Sequence, residues 1–127
     1  MKIGIAGYGR MGRLIHRMAL SAGHEVPLIV DPASKAPEVI AAEFSAKLKP
    51  VDVIIDFTLP GTVLSNVKRY GELKTAAVIG TTGWYTAMDK VAEVAKENGI
   101  GIIWSGNFSL RVNLFFHLAK AAGKIMN

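Results

Sequence analysis

The feature that most constrains the fold is a glycine-rich turn near the start of the chain. The apolar run KIGIA leads straight into GYGRMG at residues 7–12, and the helix-like pattern RLIHRMA follows. In a G-x-G-x-x-G turn between a strand and a helix, the first glycine bends tightly, the second admits a pyrophosphate and the third lets helix and strand pack closely. Unpaired N–H groups at the helix start favour an anion. The turn predicts a dinucleotide-phosphate site, and a merely structural tight bend is the alternative.

A second feature is in register with the first. Asp31 stands 19 positions after Gly12, where the apolar segment EVPLIV ends. A carboxylate at the tip of the second strand can accept hydrogen bonds from the hydroxyls of an adenosine ribose. It also repels a 2′-phosphate, and Pro32 rather than an arginine follows it. The local chemistry favours NAD(H), with NADP(H) as the second option. Methyltransferases that use S-adenosylmethionine share a glycine-rich turn followed by an acid, so they are the alternative for the turn taken alone.

The rest of the chain alternates between strand-like and helix-like segments. Strands are predicted at residues 2–6, 25–30, 51–57, 76–79 and 100–104, and helices at 10–22, 39–48, 60–70, 85–97 and 110–126. Continuous apolar strands separated by helices indicate a parallel sheet covered on both faces. We expect an α/β fold, a doubly wound parallel sheet of the Rossmann-like type in three αβα layers, with about five or more strands. Residues 1–127 should form one domain, whose core includes Met11, Met18, Met88 and Met126.

Composition limits the partners. The chain carries a formal net charge of +5, but its basic residues are scattered and form no block of five. Scattered charge without interleaved aromatic residues argues against nucleic acid and fits a surface that attracts a small anion. No apolar run approaches the roughly 20 residues that a membrane-spanning helix needs. The absence of cysteine excludes disulfides and thiolate metal sites. We expect a cytoplasmic protein that binds no nucleic acid, membrane or metal.

Three further segments stand at the predicted carboxyl ends of strands, where open parallel sheets bind ligands. They are DFTLPGT at 56–62, GTTGW at 80–84 and SGNFSLRVN at 105–113. Their small hydroxyl and amide side chains suit neutral hydrogen bonds to sugars, phosphates or a carboxamide. Helix capping by Thr58, Thr82 or Ser109 is the alternative. Because all three segments would meet around one crevice, we favour a ligand site.

Four motifs in this order and spacing resemble one family. GYGRMG, DFT, GTTGW and NFSLRVNLFF are similar to the motifs of 4-hydroxy-tetrahydrodipicolinate reductase (dihydrodipicolinate reductase), a nicotinamide-dependent reductase of the diaminopimelate and lysine pathway. In that family a Rossmann domain is joined to a substrate and tetramerisation domain. The resemblance covers essentially the whole chain. It implies NAD(P)H as the cofactor and residues 1–127 as the dinucleotide-binding domain.

The resemblance also implies roles for individual residues. The pyrophosphate would be held by Gly7, Tyr8, Gly9, Arg10, Met11 and Gly12. Asp31 would hold the adenosine ribose, while Phe57 and Thr58 would line the cofactor crevice. The nicotinamide would lie near Gly80, Thr81 and Thr82, with Thr82 reaching towards the substrate. The nicotinamide end would be closed by Asn107, Phe108 and Ser109.

Two departures from the family pattern matter. Arg111 stands where many members have glycine, within the pattern N-F-S-x-G-V-N. The family's histidine pair, its catalytic lysine and its Lys-x-Asp-Ala-Pro-Ser-Gly-Thr-Ala segment lie beyond the point where this chain stops. We therefore expect no catalytic residue here. The chain should bind the cofactor and turn over substrate negligibly, with the family's substrate and assembly domain absent.

A stand-alone dinucleotide-binding module without catalysis is the alternative function. The last helix distinguishes the two, because a helix that meets a further domain should have an unusually apolar outer face. The remaining candidates receive ordinary roles. His16, His24 and His117 adjoin no carboxyl end of a strand. The pair Tyr70-x-x-x-Lys74 follows the third strand, whereas short-chain dehydrogenases carry it after the fifth, so we interpret it as a coincidence.

Overall fold

The computed structural model describes residues 1–42, 44 and 50–126, which form a five-stranded sheet with four α-helices. The elements are β1 (Lys2–Ala6), α1 (Arg10–Ser21), β2 (Glu25–Val30), β3 (Val53–Asp56), α2 (Val63–Glu72), β4 (Ala76–Ile79), α3 (Met88–Asn98), β5 (Ile102–Trp104) and α4 (Leu110–Met126). Short 3₁₀ turns at Pro60–Thr62 and Tyr85–Ala87 lead into α2 and α3. Each predicted strand is found, at the same or slightly shorter bounds.

All strand pairs are parallel, in the order β2-β1-β3-β4-β5. The first strand lies between β2 and β3, with Ile5 in register with Ile29 on one side and Ile55 on the other. The chain therefore steps to one side of β1 for β2 and to the other side for β3. This reversal opens a crevice between the turns that leave β1 and β3, where doubly wound sheets bind ligands. The predicted α/β, Rossmann-like architecture is confirmed.

Helices cover the sheet on both faces. The first helix packs on β1 and β2, over a buried cluster made of Ile3, Ile5, Tyr8, Ala19 and Ile29. Helices α2 and α3 pack on the opposite face, over a larger cluster that includes Leu28, Ile54, Val67, Tyr70, Ile79 and Val91. Removal of this apolar surface from water is the main favourable term in folding. The packing of these side chains also fixes the positions of the strand ends that form the crevice.

The β5 side of the sheet is less covered. Strand β5 lies at the edge, and its Ile103 and Trp104 side chains are 65% and 43% exposed. None of the residues described for α4 is buried, although this helix carries Leu114, Phe115 and Phe116. Exposed apolar surface of this extent is typical of an interaction site.

The helix predicted at residues 39–48 is wrong at its start. Ile40 donates its N–H to the carbonyl of Ile29 (2.9 Å), and Asp31 donates its N–H to the carbonyl of Ala41 (3.1 Å). This segment therefore runs beside the open edge of β2. An unpaired strand edge offers backbone partners to a segment in which Pro32 and Pro37 interrupt helix formation. Residues 43 and 45–49 of the predicted helix lie outside the described residues.

The prediction that four methionines lie in the core is wrong for three of them. Met11, Met18 and Met126 are exposed, and Met88 is half-buried. The buried residues of α1 are instead Gly12 and Ala19, and Ile15 is partly buried against the same cluster. Helical periodicity located α1, but Met11 and Met18 lie outside the face of Gly12, Ile15 and Ala19 that packs on the sheet.

Replacing Ile54 with alanine should destabilise the protein far more than the same change at Ile103. Ile54 is fully buried in β3, so the substitution leaves a cavity and should lower the free energy of unfolding by about 2–5 kcal/mol. Ile103 is largely exposed at the sheet edge, and its truncation should change that free energy by less than about 0.5 kcal/mol. Urea denaturation measures both values, and equal losses would contradict this account of the core.

Candidate dinucleotide-binding site

A cleft of about 540 Å³ opens at the carboxyl ends of β1, β2 and β3. Small-molecule sites in proteins typically measure about 300–1,000 Å³. One wall comes from α2, through Ser65, Asn66 and Arg69. The turns after the strands supply the rest and bring together five of the predicted site residues, Gly7, Gly9, Asp31, Phe57 and Thr58.

The three motif glycines have different structural roles. Gly7 has a φ of +85°, and a Cβ there would lie 2.5 Å from the carbonyl oxygen of Phe57. A Cβ on Gly12 would collide with the carbonyl oxygen of Gly7. The protein's own backbone therefore requires glycine at both positions. A Cβ on Gly9, in contrast, would meet no atom within 4 Å. Glycine at this position leaves open a space beside the cleft, as the approach of a phosphate to the backbone requires.

Gly9 is also the N-cap of α1. Its backbone is extended, no side-chain cap is present, and its carbonyl accepts the N–H of Arg13 at 3.0 Å. The N–H groups of the first turn, on Arg10, Met11 and Gly12, have no carbonyl partner inside the helix. Such groups, together with the positive end of the helix dipole, favour an anion, and they lie next to the open space at Gly9.

Asp31 holds the glycine turn against the loop that follows β2. Its Oδ2 accepts the N–H of Tyr8 at 2.7 Å, and its Oδ1 accepts those of Ala33 and Ser34 at 2.8 and 3.1 Å. The sequence predicts a ribose ligand for this carboxylate but gives no sign of the structural role. Because a carboxylate has about four acceptor positions, three N–H bonds leave room for a ligand hydroxyl.

The Tyr8 side chain is buried beside α1 rather than in the cleft. Its hydroxyl is hydrogen-bonded to Nδ1 of His16 at 2.7 Å, and the Arg13 guanidinium lies 4.9 Å from the ring centroid. Arg10 and Arg13 line a separate, shallower concavity along the helix. The contact between Tyr8 and His16 gives this histidine a packing role, in agreement with the sequence interpretation.

A fully buried carboxylate, which the sequence analysis did not identify as a site residue, lies next to the cleft. Oδ1 of Asp56 accepts both the N–H and the hydroxyl of Thr58, at 2.9 and 2.7 Å. Oδ2 accepts the Tyr70 hydroxyl at 2.7 Å and Nδ2 of Asn66 at 3.2 Å. Burial, followed by the charge of Asp56, raises the pKa of Tyr70 well above its ordinary value. An acid directly after an apolar strand was the sequence signal that could have identified this residue.

The turn after β4 borders the cleft without lining it. Gly80 lies so close to the Phe57 ring that a Cβ there would overlap it. Thr81 is buried and donates its hydroxyl to Oδ1 of Asp56 at 3.2 Å, whereas Thr82 is exposed. The ring of Phe57 thus connects this turn to the cleft wall, and contact of residues 80–82 with a nicotinamide stays a prediction.

The segment after β5 forms the start of α4. Oδ1 of Asn107 accepts the N–H of Ser109 at 2.7 Å, and Oγ of Ser109 accepts the N–H of Val112 at 3.4 Å. Ser109 therefore has the capping role that was considered as the alternative. Asn107, Phe108 and Ser109 are exposed and lie outside the cleft lining, as does Arg111.

The two residues of the Tyr-x-x-x-Lys motif make structural contacts. Lys74 Nζ contacts the carbonyl of Asn98 at 3.1 Å, while Tyr70 is buried against Asp56, so the Tyr-x-x-x-Lys pair forms no catalytic unit. Across residues 1–42, 44 and 50–126, no group of three or more His, Cys, Asp or Glu residues is placed to hold a metal ion. The helices in this part of the chain are all too short or too polar to span a bilayer.

Fold and site together define a class of protein. A doubly wound parallel sheet carries a G-x-G-x-x-G turn between β1 and α1, an acid after β2 and a cleft where the strand order reverses. These are the features of a Rossmann-like dinucleotide-binding fold. Apo scyllo-inositol dehydrogenase from Lactobacillus casei has a similar fold, with a TM-score of 0.63 and 14% identity over 83% of this chain and 36% of that one.

The chain belongs to the dihydrodipicolinate reductase family. The model of the family described as "dihydrodipicolinate reductase, N-terminus" matches residues 1–108. The 4-hydroxy-tetrahydrodipicolinate reductase of Ralstonia pickettii is 37% identical over 142 residues, covering 99% of this chain and 54% of that protein. The protein of the same name from Christiangramia forsetii is 33% identical over 124 residues, covering 97% and 49%. The resemblance found in the sequence is confirmed, and the chain spans about half the length of these curated relatives. The family consists of oxidoreductases that bind a nicotinamide dinucleotide.

Gly9→Ala should weaken dinucleotide binding without unfolding the protein. The added methyl group meets no protein atom within 4 Å, so the free energy of unfolding should fall by less than about 1 kcal/mol, the usual cost of alanine at an N-cap. The same methyl group would occupy the space that a phosphate needs, and the Kd for NADH should rise at least about tenfold. Isothermal titration calorimetry and thermal melting measure the two effects.

Gly12→Ala is the matched control for this experiment. It adds the same methyl group within the same turn, but against the carbonyl oxygen of Gly7. This variant should lose much of its thermal stability. A folded Gly9→Ala protein that binds NADH as tightly as the unmodified chain would contradict the assignment of the phosphate site.

Proposed function

We propose that this chain is the dinucleotide-binding domain of a 4-hydroxy-tetrahydrodipicolinate reductase. The whole enzyme would transfer a hydride from NAD(P)H to a cyclic imine dicarboxylate in diaminopimelate and lysine synthesis. The observation that carries the proposal is the space at Gly9, which no protein atom fills and which lies at the uncapped start of α1. Family membership supports the same function, because the matched residues include this turn.

In this proposal the diphosphate binds at the glycine turn. Main-chain N–H groups of Arg10, Met11 and Gly12 donate to its oxygens, and the helix dipole adds attraction for negative charge. Tyr8 contributes through the turn's shape, since Asp31 already accepts its N–H. The bound dinucleotide supplies the hydride, while the protein supplies orientation and electrostatics.

The adenosine ribose is assigned to Asp31. The acceptor position that its three N–H bonds leave unused suits a ribose hydroxyl. Its negative charge disfavours a 2′-phosphate, so the proposed preference is for NAD(H), with NADP(H) as a second cofactor.

The nicotinamide half is assigned to the β3 and β4 sides of the cleft. Phe57 and Thr58 line the cleft, and the contact between Phe57 and Gly80 brings the turn at residues 80–82 alongside. Thr82 is the exposed residue of this turn, which suits the proposed contact with substrate. The exposed segment 107–109 is accessible to a ligand that extends past the cleft.

We assign substrate binding and catalysis to a second domain, as the length of the relatives suggests. This chain spans about half of those proteins. The exposed apolar side chains of α4 are the kind of surface expected where another domain meets the helix. They favour a part of a larger enzyme over a stand-alone binding module. We further propose that this enzyme is tetrameric, as its family is, and cytoplasmic. On its own the chain would bind the cofactor and supply no catalytic residue.

Titration of the purified chain with NADH should show saturable binding. Trp84 is buried and Trp104 is partly exposed, with their ring centroids 5.8 Å apart near the turns assigned to the nicotinamide half. Their fluorescence should therefore fall as NADH binds. Addition of the cyclic imine substrate should cause no measurable oxidation of NADH. Saturable binding of S-adenosylmethionine without binding of NADH would contradict the proposed function, and reductase turnover by this chain alone would contradict the need for a second domain.

Asp31→Ala should weaken the binding of NADH more than that of NADPH. Both cofactors lose the acceptor for the ribose and the support of the glycine turn, and the Kd for NADH should rise about tenfold or more, as for a lost charge-assisted hydrogen bond. NADPH also escapes the repulsion between its 2′-phosphate and the carboxylate, which offsets part of its loss. Parallel titrations with the two cofactors measure the ratio of their Kd values.

Asp52→Ala is the control. Asp52 also accepts a backbone N–H, that of Lys2 at 2.7 Å, but it precedes β3 at the amino ends of the strands, away from the cleft. This variant should leave both affinities unchanged. Equal losses of NADH and NADPH in Asp31→Ala would be inconsistent with the proposed cofactor preference.

A further inference from the structure

Among the residues that the structure describes, every hydrogen-bond donor to the Asp56 carboxylate is neutral. The residue is fully buried at the end of β3 and accepts five hydrogen bonds, from the N–H and hydroxyl of Thr58, the hydroxyls of Tyr70 and Thr81, and Nδ2 of Asn66. Each carboxylate oxygen receives at least two of these bonds. The group is thus solvated by the protein in place of water.

Burying a carboxylate is unfavourable unless such donors compensate for lost hydration. When a buried polar group and its partners are replaced together by apolar side chains of similar size, a protein interior is commonly as stable or more stable. Stability of the core is therefore a weak reason for an acid at this position. The positions of its partners provide a better one.

The partners of Asp56 belong to three separate segments that surround the cleft. Thr58 is in the turn after β3, Asn66 is on α2, and Thr81 is in the turn after β4. Thr58 and Asn66 line the cleft, and the residue before Thr81 is Gly80, which contacts the Phe57 ring. One carboxylate therefore joins two strand-end turns and a helix at the β3 side of the cleft.

The direction of the hydrogen bonds makes this arrangement specific. The Thr58 hydroxyl donates its only proton to Asp56, and its oxygen accepts Nδ2 of Asn66 at 3.1 Å and faces the hydroxyl of Thr62 at 3.1 Å. The carbonyl of Thr58 also lies 3.2 Å from the Thr81 hydroxyl, whose single proton is shared between this carbonyl and Oδ1 of Asp56. Removal of the charge on Asp56 would leave these donors competing for fewer acceptors. The turns after β3 and β4 would then no longer be held by one shared carboxylate.

We propose that Asp56 is a positioning residue for the nicotinamide half of the site: without touching the ligand, it holds the turns after β3 and β4 in the arrangement that binds this half. The inference rests on the proposed function. Because Asp56 is fully buried, any effect of its substitution on ligand binding must pass through the residues it holds.

Asp56→Asn tests the proposal by comparing two ligands. The amide is isosteric but lacks the charge and replaces one acceptor oxygen with a donor. The Kd for NADH should rise at least about tenfold, the scale expected when binding groups are displaced. ADP-ribose lacks the nicotinamide, and its Kd should change less than about threefold because the glycine turn and Asp31 remain in place. A merely structural role would lower thermal stability and change both affinities alike.

Asp52→Asn is the matched control, since it makes the same change in an acid at the amino end of β3, away from the cleft. It should leave both Kd values unchanged. If the unmodified chain fails to bind NADH, the proposed function fails. If that chain binds NADH and folded Asp56→Asn binds it equally well, or if ADP-ribose loses as much affinity as NADH, the positioning role is overturned while the proposed function stands.

Tyr70→Phe keeps the proposal testable should Asp56→Asn not fold. It removes one buried hydroxyl that contacts Asp56 and lies outside the cleft lining. Because the carboxylate is then held less firmly, it should position the turns after β3 and β4 less well. The Kd for NADH should rise by about two- to fivefold, whereas the Kd for ADP-ribose should stay constant. An unchanged Kd for NADH in folded Tyr70→Phe would overturn the positioning role.

Discussion

The site depends on how closely α1 approaches the end of β1. Gly12 lies against the carbonyl oxygen of Gly7, and no larger residue fits at either position. This contact places the first turn of the helix directly over the strand end, so that its unpaired N–H groups surround the space at Gly9. Further along the helix, Ala19 is buried and Ile15 is partly buried against the sheet. The close contact of Gly7 with Gly12 therefore shapes the proposed anion site.

Carboxylates at the ends of two strands then hold the loops around this contact. Asp31 joins the glycine turn to the loop after β2 through three backbone N–H groups. Asp56 joins the turns after β3 and β4 to α2 through neutral donors. In both places a charged acceptor organises donors from segments distant in sequence, because hydrogen bonds to a carboxylate are stronger than those to a neutral group. Together the two residues define both sides of the cleft.

Much of the fold and part of the site could be predicted from the sequence, because the relevant signals are local. Apolar runs located every strand. The sequence also predicted site residues at the strand ends, and the parallel sheet brings several of them together at one cleft, among them Gly7 and Gly9 of GYGRMG, Asp31, Phe57 and Thr58. The partners of Asp56 could not be predicted, since Tyr70 and Thr81 are 14 and 25 residues away and meet it only through the strand order. The pairing of residues 40 and 41 with β2 likewise depends on an open sheet edge that no local pattern reveals.

The most direct measurement is a crystal structure of the chain with NADH bound. The account predicts diphosphate oxygens within hydrogen-bonding distance of the main-chain nitrogens at the start of α1, beside Gly9, and a ribose hydroxyl on Asp31. It would be contradicted by a dinucleotide bound elsewhere, such as along the arginines of α1 or on the apolar surface of α4, with the space at Gly9 empty.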